Sequence, residues 1–190
     1  SLLLNNLGTL HVQENRLEQA INCYRRAEKL SGRLGDDPSL AAIHSNLAAL
    51  YAKSGDPVAA DESIRRAAAH GARCDSRRTR FVRLHNSGLV DLCLGRYATG
   101  IDAFKEAIAL GEELKDAFLT AFDLVYLGEC HVFRGEAKAA QAAFERATSR
   151  GPAAPAPIPA MVESRKAVLA ALRGDLSAAK KSCASFSAAS

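Results

Sequence analysis

The feature that most constrains this chain is an echo at a fixed distance of forty residues. Leu7-Gly8, Ala20, Tyr24 and Ala27 return as Leu47-Ala48, Ala60, Ile64 and Ala67. They return again as Ser87-Gly88, Gly100, Phe104 and Ala107, and once more as Leu127-Gly128, Ala140, Phe144 and Ala147. Self-similarity at such a period marks an array in which each unit buries its apolar face on its neighbours. The length of 190 residues would ordinarily imply one or two globular domains. The repeat replaces that expectation with one elongated array.

Each copy reads as two amphipathic helices. Leu3, Leu4, Leu7, Leu10 and His11 share one stripe, spaced three and four apart. Leu17, Ala20, Ile21, Tyr24, Ala27 and Leu30 line the next helix. The turn between them is Glu14-Asn15-Arg16, and it recurs as Gly55-Asp56, Gly95-Arg96 and Gly135-Glu136. Glycine suits a helix end that needs a left-handed residue, and asparagine is the best substitute for it. Small residues at Gly8, Ala48, Gly88 and Gly128 let the second helix approach the first, and Ala20, Ala60, Gly100 and Ala140 do the same from the other side. Tyr24, Ile64, Phe104 and Phe144 fill the space between that pair and the next helix.

These residues resemble the tetratricopeptide repeat (TPR), whose pattern includes L-G-x2-Y and A-x3-F. The resemblance covers residues 1–150, in four copies of one phase. Ser87 and Asp91 depart from the usual leucine and tyrosine, and the helix-ending proline is missing. The period exceeds the usual thirty-four by about six residues. Segments such as Lys29 to Asp36 and Ala109 to Asp116 imply a second helix one turn longer. In this the chain is similar to the long-repeat branch found in kinesin light chains, spindle-orientation adaptors that bind G-protein subunits, and bacterial regulatory ATPases and kinases. The resemblance implies an all-α, right-handed solenoid superhelix of antiparallel helix pairs, clasping an extended or helical peptide on its concave face.

The expected layout is four repeats at about 1–36, 37–76, 77–116 and 117–150. A proline-rich connector follows at 151–159, then a degraded fifth repeat or cap at 160–187 and a fraying tail at 188–190. Pro152, Pro155, Pro157 and Pro159 read as a stiff polyproline II connector, with a docking ligand as the other reading. Gly174-Asp175, Ala179, Cys183 and Phe186 match the fifth turn and second helix, whereas Glu163 and Lys166 fall where apolar residues are expected. The chain lacks an initiating methionine and starts inside a helical pattern, so it reads as a piece of a longer regulatory protein.

The first helix of each copy faces the inner surface in the family that the chain resembles. The groove candidates are Asn5, Asn6, Thr9 and Gln13; Ser45, Asn46, Ala49 and Lys53; His85, Asn86, Leu89 and Leu92; and Val125, Tyr126, Glu129 and Phe133. Asn6, Asn46 and Asn86 recur at the forty-residue spacing. Asparagine is a poor helix former, so its recurrence in mid-helix needs a reason. An amide both donates and accepts, which suits a ligand's free peptide groups. Equally, these amides can bond neighbouring helices and fix the array. The later part of the groove is apolar, with Leu89, Leu92, Phe122, Val125, Tyr126, Val132 and Phe133. It reads either as an interaction patch or as a seat covered by the fifth copy and the proline segment.

Other chemistry is sparse. The net charge of +4 is a mild excess that names no partner. The stretch Arg65, Arg66, Arg73, Arg77, Arg78, Arg80 and Arg83 has no aromatic residue before Phe81 to stack bases, which is a weak nucleic-acid footprint. Cys23, Cys74, Cys93, Cys130 and Cys183 are odd in number, widely spaced and without C-x-x-C, which fits a reducing, cytoplasmic setting and no zinc site. No histidine pair has the H-E-x-x-H spacing, no glycine-rich loop follows a strand, and no apolar run approaches a membrane span. The sequence therefore reads as a non-enzymatic interaction module with no catalytic residue, metal or cofactor. Its expected partner is a protein or peptide held in the groove. The alternative is a spacer that self-associates into a homodimer through uncapped ends. Abundant alanine and arginine point to a bacterial source.

Overall fold

Helix starts fall on the same forty-residue comb as the sequence echo. A computed structural model describes residues 1–74, 76–149, 157–175, 177–179 and 182. The helices are α1 Leu2–Gln13, α2 Leu17–Leu34, α3 Asp37–Lys53, α4 Pro57–Gly71 and α5 Arg77–Cys93. They continue as α6 Tyr97–Glu113, α7 Ala117–Phe133, α8 Ala137–Thr148 and α9 Pro157–Leu172. First helices begin at Asp37, Arg77, Ala117 and Pro157, and second helices at Leu17, Pro57, Tyr97 and Ala137. There is no strand among the described residues, and the class is all-α, built from solenoid-type helix pairs.

The comb is held by its ends. The backbone turns left-handed at Asn15 (φ 58°), Gly55, Gly95, Gly135 and Gly174. In each turn the next amide bonds a carbonyl five residues back, as Arg16 to His11, Asp56 to Tyr51, Arg96 to Asp91, Glu136 to His131 and Asp175 to Ala170. This closes orphan carbonyls in the Schellman manner. At the other joint, Asp36, Ser76 and Asp116 stand forty apart and cap α3, α5 and α7, accepting from Ser39, Thr79 and Leu119 amides. That capping ladder was legible in the sequence and is a second record of the period. The two longest second helices are α2, with 18 residues, and α6, with 17. They run into the segments expected to add a turn, and stop at left-handed Gly35 and Lys115.

Contacts divide the chain into two units, Ser1–Arg96 and Tyr97–Ser190. In the first, α3 packs on α1, α2, α4 and α5. Its core joins Ala20, Tyr24 and Ala27 of α2 to Ile43, Leu47 and Leu50 of α3. Each large side chain so buried contributes roughly 1.5–3 kcal/mol. A methyl at Gly8 would lie 2.6 Å from the Tyr24 ring, so the small residue is what admits the aromatic one. In the second unit α7 packs on α6, α8 and α9, and Gly128 faces Phe144 as Gly8 faces Tyr24.

Two features differ from expectation. Helix α9 starts at Pro157, so Pro157 and Pro159 lie in a helical first turn rather than in polyproline II. Proline is tolerated there because the first-turn amides have no helical partner. Pro38 and Pro57 occupy the same kind of position in α3 and α4. Pro152 and Pro155, like Cys183, Phe186 and the tail, lie outside the described residues. In α1 the apolar stripe is only partly covered: Leu4 packs on the core, but Leu3 is 85 % exposed, whereas its equivalent Ile43 is 1 % exposed.

Candidate functional site

The recurring asparagines meet across helices. Asn46 of α3 donates its Nδ2 to Asn5 Oδ1 of α1 at 3.1 Å. Asn86 of α5 donates its Nδ2 to Asn46 Oδ1 at 3.2 Å. The α1 member of the ladder is therefore Asn5 and not Asn6, which is exposed. Neighbouring helices are offset, so the nearest residue across the gap need not occupy the same slot of the repeat. Asn86 is buried and joins helices, while Asn46 and Asn5 are half-buried. Each primary amide has two N–H donors and two acceptor positions. The ladder uses one of each on Asn46 and holds its plane still.

Around this ladder the sequence candidates separate by burial. Asn6, Thr9, Gln13 and Lys53 are exposed on α1 and α3. The Thr9 hydroxyl shares a hydrogen bond with the Tyr24 hydroxyl at 3.1 Å and donates to the Asn5 carbonyl at 3.2 Å. His85, Ala49 and Leu92 are half-buried. Leu89 is core, and Ser45 is fully buried with its hydroxyl donated to the Ala41 carbonyl at 2.8 Å. Leu89, Ser45 and Asn86 are thus packing residues, a distinction that helical spacing alone does not resolve.

The second unit carries its own aromatic face. Phe118, Phe122 and Tyr126 succeed one another along α7, with ring centroids 5.0 and 6.4 Å apart. Tyr126 also stacks on Phe104 of α6, and Phe133 on Tyr97. Helix α9 covers part of the expected apolar stretch. Val125 and Val132 are buried, as are Ile158 and Val162 of α9. Arg165 of α9 donates to Glu129 at 3.2 Å. Phe118 and Phe133 stay about half exposed, at 53 % and 51 %. A cleft of about 210 Å³ lies beside Phe133, between Glu129, Val132, Arg165 and Val168.

A histidine pair was not legible in the sequence. His44 of α3 and His70 of α4 stack with centroids 5.6 Å apart and planes 10° from parallel. His70 Nδ1 is hydrogen-bonded to Asp37 at 2.6 Å. That bond, above all, holds the Asp37 carboxyl below the usual carboxylate range. His44 is 4 % exposed, and its burial holds the imidazole below its usual 6.5, against the opposing pull of Glu28. Residues 44 and 70 lie on separate helices, so no motif spacing announces them.

The arginine stretch is largely engaged. Arg65 and Arg66 pair with Glu62, and Arg73 with Asp37. Arg77, Arg78 and Arg80 also interact with neighbours, and Arg78 lies over the Phe81 ring. Among the described residues no group of three or more His, Cys, Asp or Glu is placed to hold a metal, and no helix is long and apolar enough to cross a membrane. The tetratricopeptide repeat family matches residues 1–70 and again 82–151, well over half of the chain. Among curated proteins, none matches it.

Proposed function

This chain belongs to the tetratricopeptide repeat family, whose repeats generally mediate protein–protein interaction, and from that premise we propose that its α1–α3 face binds an extended peptide. The amide ladder carries the reading. Asn46 spends one donor and one acceptor on its neighbours and keeps one of each, pre-oriented, for another polar group. Asn6, Thr9 and Gln13 stand exposed beside it to extend the row, with Lys53 at the far end of α3. Pre-orientation lowers the entropy that a bound backbone would otherwise cost. In the second unit Phe133 and the cleft beside it provide an apolar anchor site of the same general kind.

Selection of peptides from a random displayed library, followed by calorimetry on the winners, tests this. Asn6→Ala with Gln13→Ala removes only exposed groups, so the fold is retained and affinity for selected peptides should fall several-fold. Undiminished affinity in that variant and in Asn46→Ala would place the peptide elsewhere and sink the reading.

A second reading rests on a separate observation. The α1 stripe of Leu3, Leu7 and Leu10 is exposed, whereas Ile43, Leu47 and Leu50 at the same slots are covered by α2. Such a face supports self-association through α1. Sedimentation over a concentration series distinguishes it: a dimer abolished by Leu3→Gln with Leu7→Gln supports pairing, and a monomer throughout excludes it.

A further inference from the structure

A second cleft lies on the other side of α3 from the amide ladder's partners, between α2, α3 and α4, with a volume of about 630 Å³. Its chemistry is concentrated. Arg25 comes from one turn of α2 and Glu28 and Lys29 from the next, His44 from α3, and Arg66 and His70 from one face of α4. Gly32 also lines it and adds no side chain to the α2 wall.

Three full cations, Arg25, Lys29 and Arg66, line the cleft with one carboxylate, Glu28, and Glu62 pairs with Arg66 just outside the lining. Among the described residues, Arg25 and Lys29 have no acidic partner. Lys29 has no ion-pair partner among the described residues. Among the described residues Arg25 donates only to the Tyr51 hydroxyl, at 3.4 Å. Arg66 is anchored through Nε to Glu62 at 2.8 Å, and its Nη1 stands 3.7 Å from Glu28, beyond hydrogen-bond reach. His44 is more than nine-tenths buried and makes no hydrogen bond among the described residues; its Nε2 stands 3.6 Å from Glu28. His70, tied to Asp37 and stacked on His44, holds that ring in place.

We propose that this cleft binds a phosphate-class dianion through Arg25, Lys29 and Arg66, with His44 hydrogen-bonded to it from the buried side. The lining carries an excess of cations, and guanidinium groups present forked donors suited to the oxygens of a phosphate monoester. The ligand's charge also compensates Arg25 and Lys29, while Arg66 stays anchored to Glu62. A metal ion is the wrong sign for this lining. A nucleic-acid strand would need stacking surfaces, and among the described residues no aromatic ring lines the cleft besides the two imidazoles. The site faces away from the amide ladder's bonds and does not rest on the peptide-binding reading.

Two sources can supply such a group, a free phosphate compound or a phosphorylated side chain. The full chain is titrated with inorganic phosphate and, separately, with a short phosphoserine peptide, following the His44 ring resonances by NMR. At least one probe should shift them saturably, and which one does identifies the source. Arg25 and Lys29 are exposed, so Arg25→Gln with Lys29→Gln should keep the fold and weaken binding at least tenfold, while Lys138→Gln on α8 leaves it within twofold. Absence of a saturable shift with both probes, or equal affinity in the double variant, overturns the proposal.

Discussion

Arg96 reaches Asp61 with both terminal guanidinium nitrogens, at 3.1 and 2.8 Å, while its Nε donates to Asp91 at 2.7 Å. One side chain thus ties the end of α5 to α4. It also accounts for a departure from the repeat pattern: Asp91 stands where a tyrosine is usual because Arg96, five residues on, meets its charge. Asp61 and Arg96 are more than a third exposed, so solvent screens the pair and their coupling should be about 0.5–1 kcal/mol. Asp91 is more enclosed, at 14 %. Arg96→Ala should therefore destabilise more than Asp61→Ala, because it leaves Asp91 alone. Urea unfolding of both variants and the double mutant checks this, and the reverse order would contradict it.

The amide ladder makes a prediction that sequence spacing alone reverses. Asn46→Leu removes the acceptor of Asn86, whose buried amide then lacks its partner, at a cost of about 1–3 kcal/mol. Asn6 sits in the equivalent slot but is exposed, so Asn6→Leu should change stability by no more than about 0.5 kcal/mol. Thermal melts of the two variants separate a structural ladder from a merely periodic one.

Turn and crossing glycines should fail differently. Gly135 has a φ of 75° with open space where a methyl would go, so Gly135→Ala incurs only backbone strain, roughly 1–2 kcal/mol. Gly135→Asn should recover part of that, since Asn15 holds the same turn in the first copy. Gly128→Val instead drives a side chain into the buried Phe144 ring, at a cost of roughly 1–3 kcal/mol. Denaturant unfolding of the four variants should show rescue by asparagine at 135 and no such recovery in Gly128→Asn.

Stability should depend on His44 over a defined pH window. Its imidazole is held below 6.5 by burial, with Glu28, Glu62, Arg66 and His70 adding smaller effects of both signs. Below 6.5 the unfolded chain takes up a proton that the native site resists, so the unfolded state binds more protons and stability falls as pH falls. Above 6.5 the contribution is fully present. Asp37, held low chiefly by the His70 hydrogen bond, loses its contribution separately, at pH values below the usual 3.8. His44→Gln should flatten the slope of unfolding free energy just below 6.5 and leave the more acidic limb in place. An unchanged slope in that variant would assign the dependence to another group.

Much of the fold was legible because packing size is written into the repeat. Gly8 against Tyr24 and Gly128 against Phe144 are pairs in which a small residue admits a ring, and they recur in phase. The turns were legible because left-handed backbone selects glycine and, at position 15, asparagine. The site was less so. Choosing Asn5 over Asn6 requires the offset between two helices, which no single helix encodes. Leu89 and Phe133 are both apolar residues of first helices, yet one is buried and the other exposed, and only the neighbouring helices decide which. His44 and His70 meet through the packing of α3 on α4, and neither copy shows the pair by itself. The start of α9 could have been read from Pro38 and Pro57, which already show proline opening helices in this chain.

The Arg96 tie also bears on how such an array can be shortened. The slots held by Asp61 and Asp91 in one junction are held by Ile21 and Tyr51 in the preceding one, where both side chains pack on the apolar core. Excising one forty-residue period, residues 37–76, would preserve the phase of every helix and bring α5 up against α2. Arg96 and Asp91 would then confront Ile21. The units share a geometry but are not interchangeable parts. Their charges act as an address, so the order of the copies is inherited with the sequence.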